Sequence, residues 1–234
     1  MGCVCVNNSK DKYALENVIN KDYETNTKII SKLKITNYVK KVFYLFNKIR
    51  TNPSQFADYV ISSQQYIKEV DDKIIFDHKI KVALNEGKKM FLDCAEYLRN
   101  LPPMEELIFN DDIVLECPTE PSSIRDINYF KQKVIEKKES QGILAYFKDS
   151  ISEPEISVLL IIVDDSIKNA KKKRETVLNP KFKYIGISST DDPADKNEEN
   201  KNNGNNNDEG NNNPKKNPFC AYFSFKWNIS YVNN

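Results

Sequence analysis

The residue types that point most directly to chemistry stand at the head of the chain, Met1-Gly-Cys-Val-Cys-Val6. Removal of Met1 exposes Gly2, the acceptor for N-myristoylation, and leaves Cys3 and Cys5 as thiol acceptors for palmitoylation. The two modifications belong together physically. One myristoyl chain holds a bilayer only marginally, with an association constant of about 10⁴ M⁻¹, and a second chain makes the anchor stable. The sixth position of such heads usually carries Ser or Thr, and here it carries Val6. The alternative is an ordinary N-terminus with two exposed thiols.

Other candidates are sparse. There are five cysteines (Cys3, Cys5, Cys94, Cys117 and Cys220) and a single histidine, His78. Structural zinc sites need four Cys or His ligands at paired spacing, and the chain has no C-x-x-C, so neither a metal nor a cofactor is expected. A nucleophilic Cys–His pair would require His78 beside Cys94 or Cys117. Cys94 falls on the apolar face of a helix, which favours an inert thiol, and Cys117 lies better, at a helix end before a proline. No third group to orient the pair is evident, and His78 reads as a surface residue. Asp164 and Asp165 are adjacent, and neighbours on a helix do not face each other, so a polar helix end is expected rather than a two-carboxylate acid/base site. Glu86 reads as solvated or capping. Lys171-Lys-Lys-Arg174 is a basic run expected on a solvated face. At a membrane, Lys171, Lys172 and Arg174 would meet anionic headgroups, at about 1 kcal/mol per residue close to the surface.

Behind these residues stands one domain's worth of chain. With 35 Lys and Arg against 34 Asp and Glu in 234 residues, no whole-molecule attraction to nucleic acid is expected. There is no run of 18 apolar residues and no apolar middle region of a secretory signal, so a cytosolic setting is expected. Residues 1–37 form a polar head and linker, with some helical tendency around Tyr13 to Ile19. From about Tyr38 to Arg50, Val39, Val42, Phe43, Phe46 and Ile49 recur at helical spacing. Asn52 and Pro53 then open a short second helix. A long helix is expected from Ile80 to Asn100, stopped by Pro102 and Pro103. Asn110 caps a further helix to Glu116. Ile127 to Ile135 fits strand or helix, and Gly142 to Phe147 a short strand. Glu155 to Asp165 is a continuous apolar run that periodicity leaves open between strand and helix. Phe182 to Ser188 and Phe219 to Val232 alternate and are expected to pair as strands. Between them, residues 191–217 carry almost nothing to bury and are expected to be a disordered loop inserted in the hairpin.

Three stretches, taken in order, resemble the CAP superfamily of cysteine-rich secretory proteins, venom antigens and plant pathogenesis-related proteins. Phe46-Asn-Lys-Ile-Arg-Thr-Asn-Pro53 is similar to the family's opening helix, N-x-x-R followed by proline. Glu86-Gly87 through Leu98, then Pro102-Pro-Met-Glu-Glu-Leu107, resembles the E-G helix and the turn after it. Leu159-Leu-Ile-Ile-Val-Asp-Asp165, Lys171-Lys-Lys-Arg174 and Asn179-Pro-Lys-Phe-Lys-Tyr-Ile-Gly186 resemble L-I-I-D-D, R-G-H-R and N-P-x-F-x-x-x-G. The resemblance spans residues 38–232. It implies an α/β fold, an α-β-α sandwich with helices on both faces of a small antiparallel sheet, and a helix at Glu155 to Asp165. Family members with an intact cavity set two histidines and two acids around a cleft. Here Lys173 stands at one histidine position, and an ammonium group has no lone pair for a metal. Gly142-Ile-Leu-Ala-Tyr-Phe147 supplies no acid where the family has G-E-N, and Cys117 to Ser123 supplies no second histidine.

These features together lead to an expectation of a non-enzymatic CAP-like binding or scaffold module on the cytoplasmic face of a membrane. Acylation at Gly2, Cys3 and Cys5 would hold it there. Its partner would be membrane lipid, another protein or a second copy of the chain, and not nucleic acid. The alternatives are a hydrolase using His78 with a cysteine or an unrecognised acidic site, and a cytosolic structural protein.

Overall fold

The computed structural model describes residues 35–78, 80–118, 126–136, 142–148, 153–165, 171–190 and 219–227. Helix α1 (Asn37–Thr51) starts at Thr36, whose hydroxyl accepts the Val39 N–H at 3.2 Å. The expected stripe of Val39, Val42, Phe43, Phe46 and Ile49 is buried, and so are Tyr38, Tyr44 and Leu45 on its flanks. An amphipathic surface helix would leave those flanks in water, so α1 is a central element of the core. Asn52 and Pro53 open helix α2 (Pro53–Ser63) as the sequence indicates, although the Asn52 amide donates to Gln55 Oε1 at 3.0 Å instead of capping the helix.

The long helix expected from Ile80 is divided in two. Strand β1 (Ile67–Val70), strand β2 (Lys73–Asp77) and strand β3 (Lys81–Leu84) form an antiparallel three-stranded sheet, and helix α3 occupies only Lys88–Asn100. Asp71 and Asp72, both at positive φ, make the two-residue turn between β1 and β2. The division falls at Gly87. Its φ of +58° and ψ of −127° suit glycine, and a Cβ there would meet Ile74 at 2.6 Å. Glu86-Gly87 is therefore a helix start and not a helix interior.

A second sheet of four strands runs β4 (Ile108–Phe109), β6 (Phe182–Ser189), β7 (Phe219–Trp227), β5 (Gly142–Lys148). The β6–β7 pair is antiparallel, as the alternating segments suggested, and β7 also pairs antiparallel with β5. The β4–β6 pair is parallel, so the sheet is mixed and not wholly antiparallel. After β4 the chain makes one 3₁₀ turn (Asp111–Ile113), with the Asn110 side chain accepting the Asp112 N–H, where a helix reaching Glu116 was expected. This segment crosses β6 at Gly186, where a Cβ would lie 2.8 Å from the backbone of Ile113 and Val114. Only a residue without a side chain admits that approach.

Helix α4 (Ile127–Glu136) settles the first ambiguous segment. Helix α5 (Pro154–Val163) settles the apolar run, and it is buried on nearly every side, which is why no period shows in its sequence. Helix α6 (Lys172–Val177) follows. Strand β7 explains the layering. Phe219, Ala221, Phe223 and Phe225 enter the main core, with the Phe223 ring 5.5 Å from that of Phe46 on α1. Cys220 and Tyr222 face the other way, where Tyr222 meets Phe130 of α4 at 5.0 Å. Helices thus cover both faces of the sheet, and the fold is α/β. The segment around Tyr13 to Ile19, the Asn-rich loop at 191–217 and residues 228–232 at the end of the expected last strand lie outside the described residues.

Candidate functional site

Most of the polar residues singled out in the sequence converge where α3 begins, α5 ends and α6 begins. Asp164 ends α5 in the left-handed conformation (φ 56°), one that Asp tolerates better than most side chains. The reversal sends the two neighbouring carboxylates to different helices. Asp165 accepts the N–H of Glu86 at 3.0 Å and of Gly87 at 2.8 Å, at the start of α3. Gly87 has no side chain to cap that helix, so Asp165 supplies the anion its N-terminus favours. Asp164 accepts the Lys173 N–H at 2.9 Å in the first turn of α6, and its other oxygen lies 3.2 Å from Lys173 Nζ. Both carboxylates are buried, and both serve as helix caps. They do not form an acid/base pair.

The basic run is divided as well. Asp93 on α3 takes Lys171 Nζ and Arg174 Nη2, each at 2.7 Å. Burial pushes the Asp93 carboxyl up, and these two cations outweigh that and hold it below the ordinary carboxylate value. Arg174 is 1% exposed and lies over the Tyr97 ring at 4.9 Å. The expectation that Arg174 touches a membrane is corrected here, because its guanidinium is turned into the protein. Lys172 is exposed, Lys171 stands half-exposed on Asp93, and Lys173 pairs with Asp164. Glu86 is held by Lys89 at 2.6 Å.

Asn47 and Arg50 form a second polar centre. The Asn47 amide donates to the Leu107 carbonyl at 3.1 Å and accepts the Leu107 N–H at 2.7 Å. Arg50 donates to four carbonyls, those of Glu105 (3.0 Å), Val177 (2.9 Å), Asn179 (3.0 Å) and Phe182 (3.1 Å). Burial lowers its pKa to about 10, with Glu105 opposing, and it remains charged at neutral pH. The N-x-x-R stretch thereby ties α1 to the segment before β4 and to the α6–β6 connection.

An open cleft of about 430 Å³ lies beside the start of α1. Val39, Phe109, Val114 and Ile187 give it apolar walls, Thr36 and Ser188 supply hydroxyls, and Asp111 and Glu116 supply negative charge. Cys117 follows directly, its Sγ 3.3 Å from Ser188 Oγ and 3.8 Å from the Cys220 carbonyl. His78 is elsewhere, at the end of β2, with its ring 4.0 Å from that of Tyr66. The Cys94 thiol donates to the Ile162 carbonyl, and burial pushes its pKa up to about 11, as befits a packed thiol. His78 thus stands at the end of the three-stranded sheet, while Cys117 lies against β6 and β7 of the four-stranded sheet.

Gly2, Cys3 and Cys5 lie outside the described residues. Among the described residues no three His, Cys, Asp or Glu side chains converge as a metal site would require, and no helix is long and apolar enough to cross a membrane. Sequence reasoning missed Asp93, the cleft and the approach of Cys117 to Cys220. Asp93 carried a signal in hindsight, an acid on α3 one turn from the apolar stripe. The cleft and the thiol contact join residues more than 70 positions apart (Cys117 to Ser188 and to Cys220), which no local pattern reports. Comparison of the chain with family models, with curated proteins and with solved structures finds no match.

Proposed function

We propose that this chain is a CAP-like binding module without catalytic activity, held on the cytoplasmic face of a membrane by acyl groups on Gly2, Cys3 and Cys5. The observation that carries the reading is the Met1-Gly-Cys-Val-Cys head, which offers two kinds of acyl acceptor within five residues. The arrangement of the polar residues supports the non-catalytic part. A general acid or base needs an ionisable group that can reach a substrate. Here Asp164 and Asp165 are spent on helix ends, and Lys173, at the position of a family histidine, is spent on Asp164.

The cleft beside α1 is the recognition surface in this reading. Apolar walls with hydroxyls and two carboxylates, Asp111 and Glu116, suit an apolar side chain next to a Lys or Arg of a partner protein.

Fractionation tests the proposal. Wild-type protein is expected to pellet with membranes, and Gly2→Ala to shift to the soluble fraction. Cys3→Ser with Cys5→Ser is expected to redistribute only in part, since one acyl chain binds reversibly. Wild-type protein that stays soluble, or Gly2→Ala that stays membrane-bound, defeats the reading.

A further inference from the structure

Cys117 and Cys220 are 103 residues apart in sequence and meet in the small apolar cluster they share with Leu115 and Tyr222. Cys220 sits on the face of β7 turned toward α4, fully buried. Cys117 belongs to the segment that follows the 3₁₀ turn, and is half-buried. Its sulfur touches the Cys220 carbonyl at 3.8 Å and Ser188 Oγ at 3.3 Å, and Ser188 in turn donates to the Leu115 carbonyl. Ser188 and Glu116, the neighbours of Cys117 in space and in sequence, both line the cleft.

We infer that Cys117 and Cys220 form a reversible redox pair, in which a peroxide oxidises the half-buried Cys117 and Cys220 resolves it as an intramolecular disulfide. The Cys117 thiolate attacks one oxygen of hydrogen peroxide. An S–O bond forms, the O–O bond breaks, and the departing hydroxide takes up a proton as water, leaving a sulfenic acid. The Cys220 sulfur then attacks the Cys117 sulfur. The S–S bond forms, the S–O bond breaks, and the second hydroxide leaves with the Cys220 proton as water. Two thiols lose two electrons, and one peroxide becomes two waters. A cellular dithiol reverses the step by exchange.

The difference in burial fits this division of roles. Against the upward push of burial, contact with Cys220 and the Tyr222 backbone lowers the Cys117 thiol. The same contact with Cys117, together with burial, pushes Cys220 up. Cys117 is also the less buried of the two, so a peroxide from solvent reaches its sulfur before that of Cys220. Cys94 provides an internal control, buried and bonded to Ile162. A closed bridge would fix the Glu116–Cys117 wall of the cleft to β7. Redox state would then set the shape of the recognition surface, a consequence that rests on the cleft reading above. The bridge itself does not.

The test uses the reduced full-length chain, both as it is and with Cys3→Ser and Cys5→Ser to remove the head thiols. One equivalent of hydrogen peroxide is added, remaining thiols are alkylated after unfolding, and peptides are mapped by mass spectrometry. The expected result is a linked Cys117–Cys220 peptide lost on treatment with dithiothreitol, with Cys94 still alkylated. Cys220→Ser should lose that peptide and let a dimedone probe trap the Cys117 sulfenic acid. Cys117→Ser should leave Cys220 reduced. Should either variant fail to fold, the mapping of the native chain decides alone. Oxidation of Cys117 to sulfinic acid without a linked peptide overturns the proposal, as does a Cys117 that stays reduced while Cys94 is consumed.

Discussion

Replacing Arg50 with methionine probes the reasoning about the polar centres at its most demanding point. Methionine keeps most of the apolar stem and removes the guanidinium, which is 1% exposed. Four carbonyl groups lose their donor, on Glu105, Val177, Asn179 and Phe182. Each hydrogen bond to a charged donor contributes about 1.5–3 kcal/mol, and the four share one charge, so their sum overstates the loss. Removing the cation also relieves its burial, which already lowers its pKa to about 10. Weighing these, the expected cost is on the order of 4 kcal/mol, since carbonyls left buried without a donor dominate. For a chain of this size that corresponds to a fall in Tm of roughly 8–16 °C, read by circular dichroism on heating. Arg50→Lys should recover less than half of the loss, because an ammonium on a flexible stem cannot reach carbonyls on three segments at once. A Tm for Arg50→Met within about 3 °C of wild type would refute the claim that this residue ties α1 to the connections around β4 and β6.

Other consequences follow from the same geometry. Asp165→Asn keeps an acceptor oxygen and loses the charge at the start of α3, so urea unfolding should register a loss of about 1–2 kcal/mol, and an unchanged midpoint would count against the capping role. The folded Asp93 carboxyl is held below its ordinary value, so its contribution is complete above the unfolded pKa of about 3.9 and is lost as pH falls through the folded value. Asp93→Asn should accordingly flatten the decline of stability below about pH 4, and an identical acid profile would show that its pairs with Lys171 and Arg174 are energetically idle. Deleting Asn197 to Asn213 should leave Tm nearly unchanged, and a fall of more than about 5 °C would mean that the segment packs on the fold.

The elements legible in the sequence are those whose residue types repeat at a fixed period. In β7 Phe and Ala at one face alternate with Cys, Tyr and Ser at the other although both faces are buried, and α1 shows its stripe even though its flanks are buried too. The helix α5 carried no period, because a helix buried all round has no polar face to alternate with. The meander β1–β3 was missed because Lys81 to Leu84 joins the apolar spacing of α3, and only the backbone at Gly87 separates strand from helix. Of the site, the adjacency argument correctly parted Asp164 from Asp165. It gave no account of where each carboxylate goes, which is decided by the left-handed turn at Asp164. The basic run misled for a related reason. Four consecutive charges look like a solvated face, but a helix begins inside the run, and that beginning turns Arg174 inward onto Asp93 and Tyr97.

The claim of a membrane-tethered module rests first on the head of the chain, and the mass of its N-terminal peptide tests that claim most directly. Protein recovered from the cells that naturally express it should yield a peptide beginning at Gly2 and carrying an amide-linked myristoyl group. Cys3 or Cys5 should bear a thioester-linked acyl group that hydroxylamine removes. A peptide that retains Met1, or that begins at Gly2 with an unmodified or acetylated amine, contradicts the account.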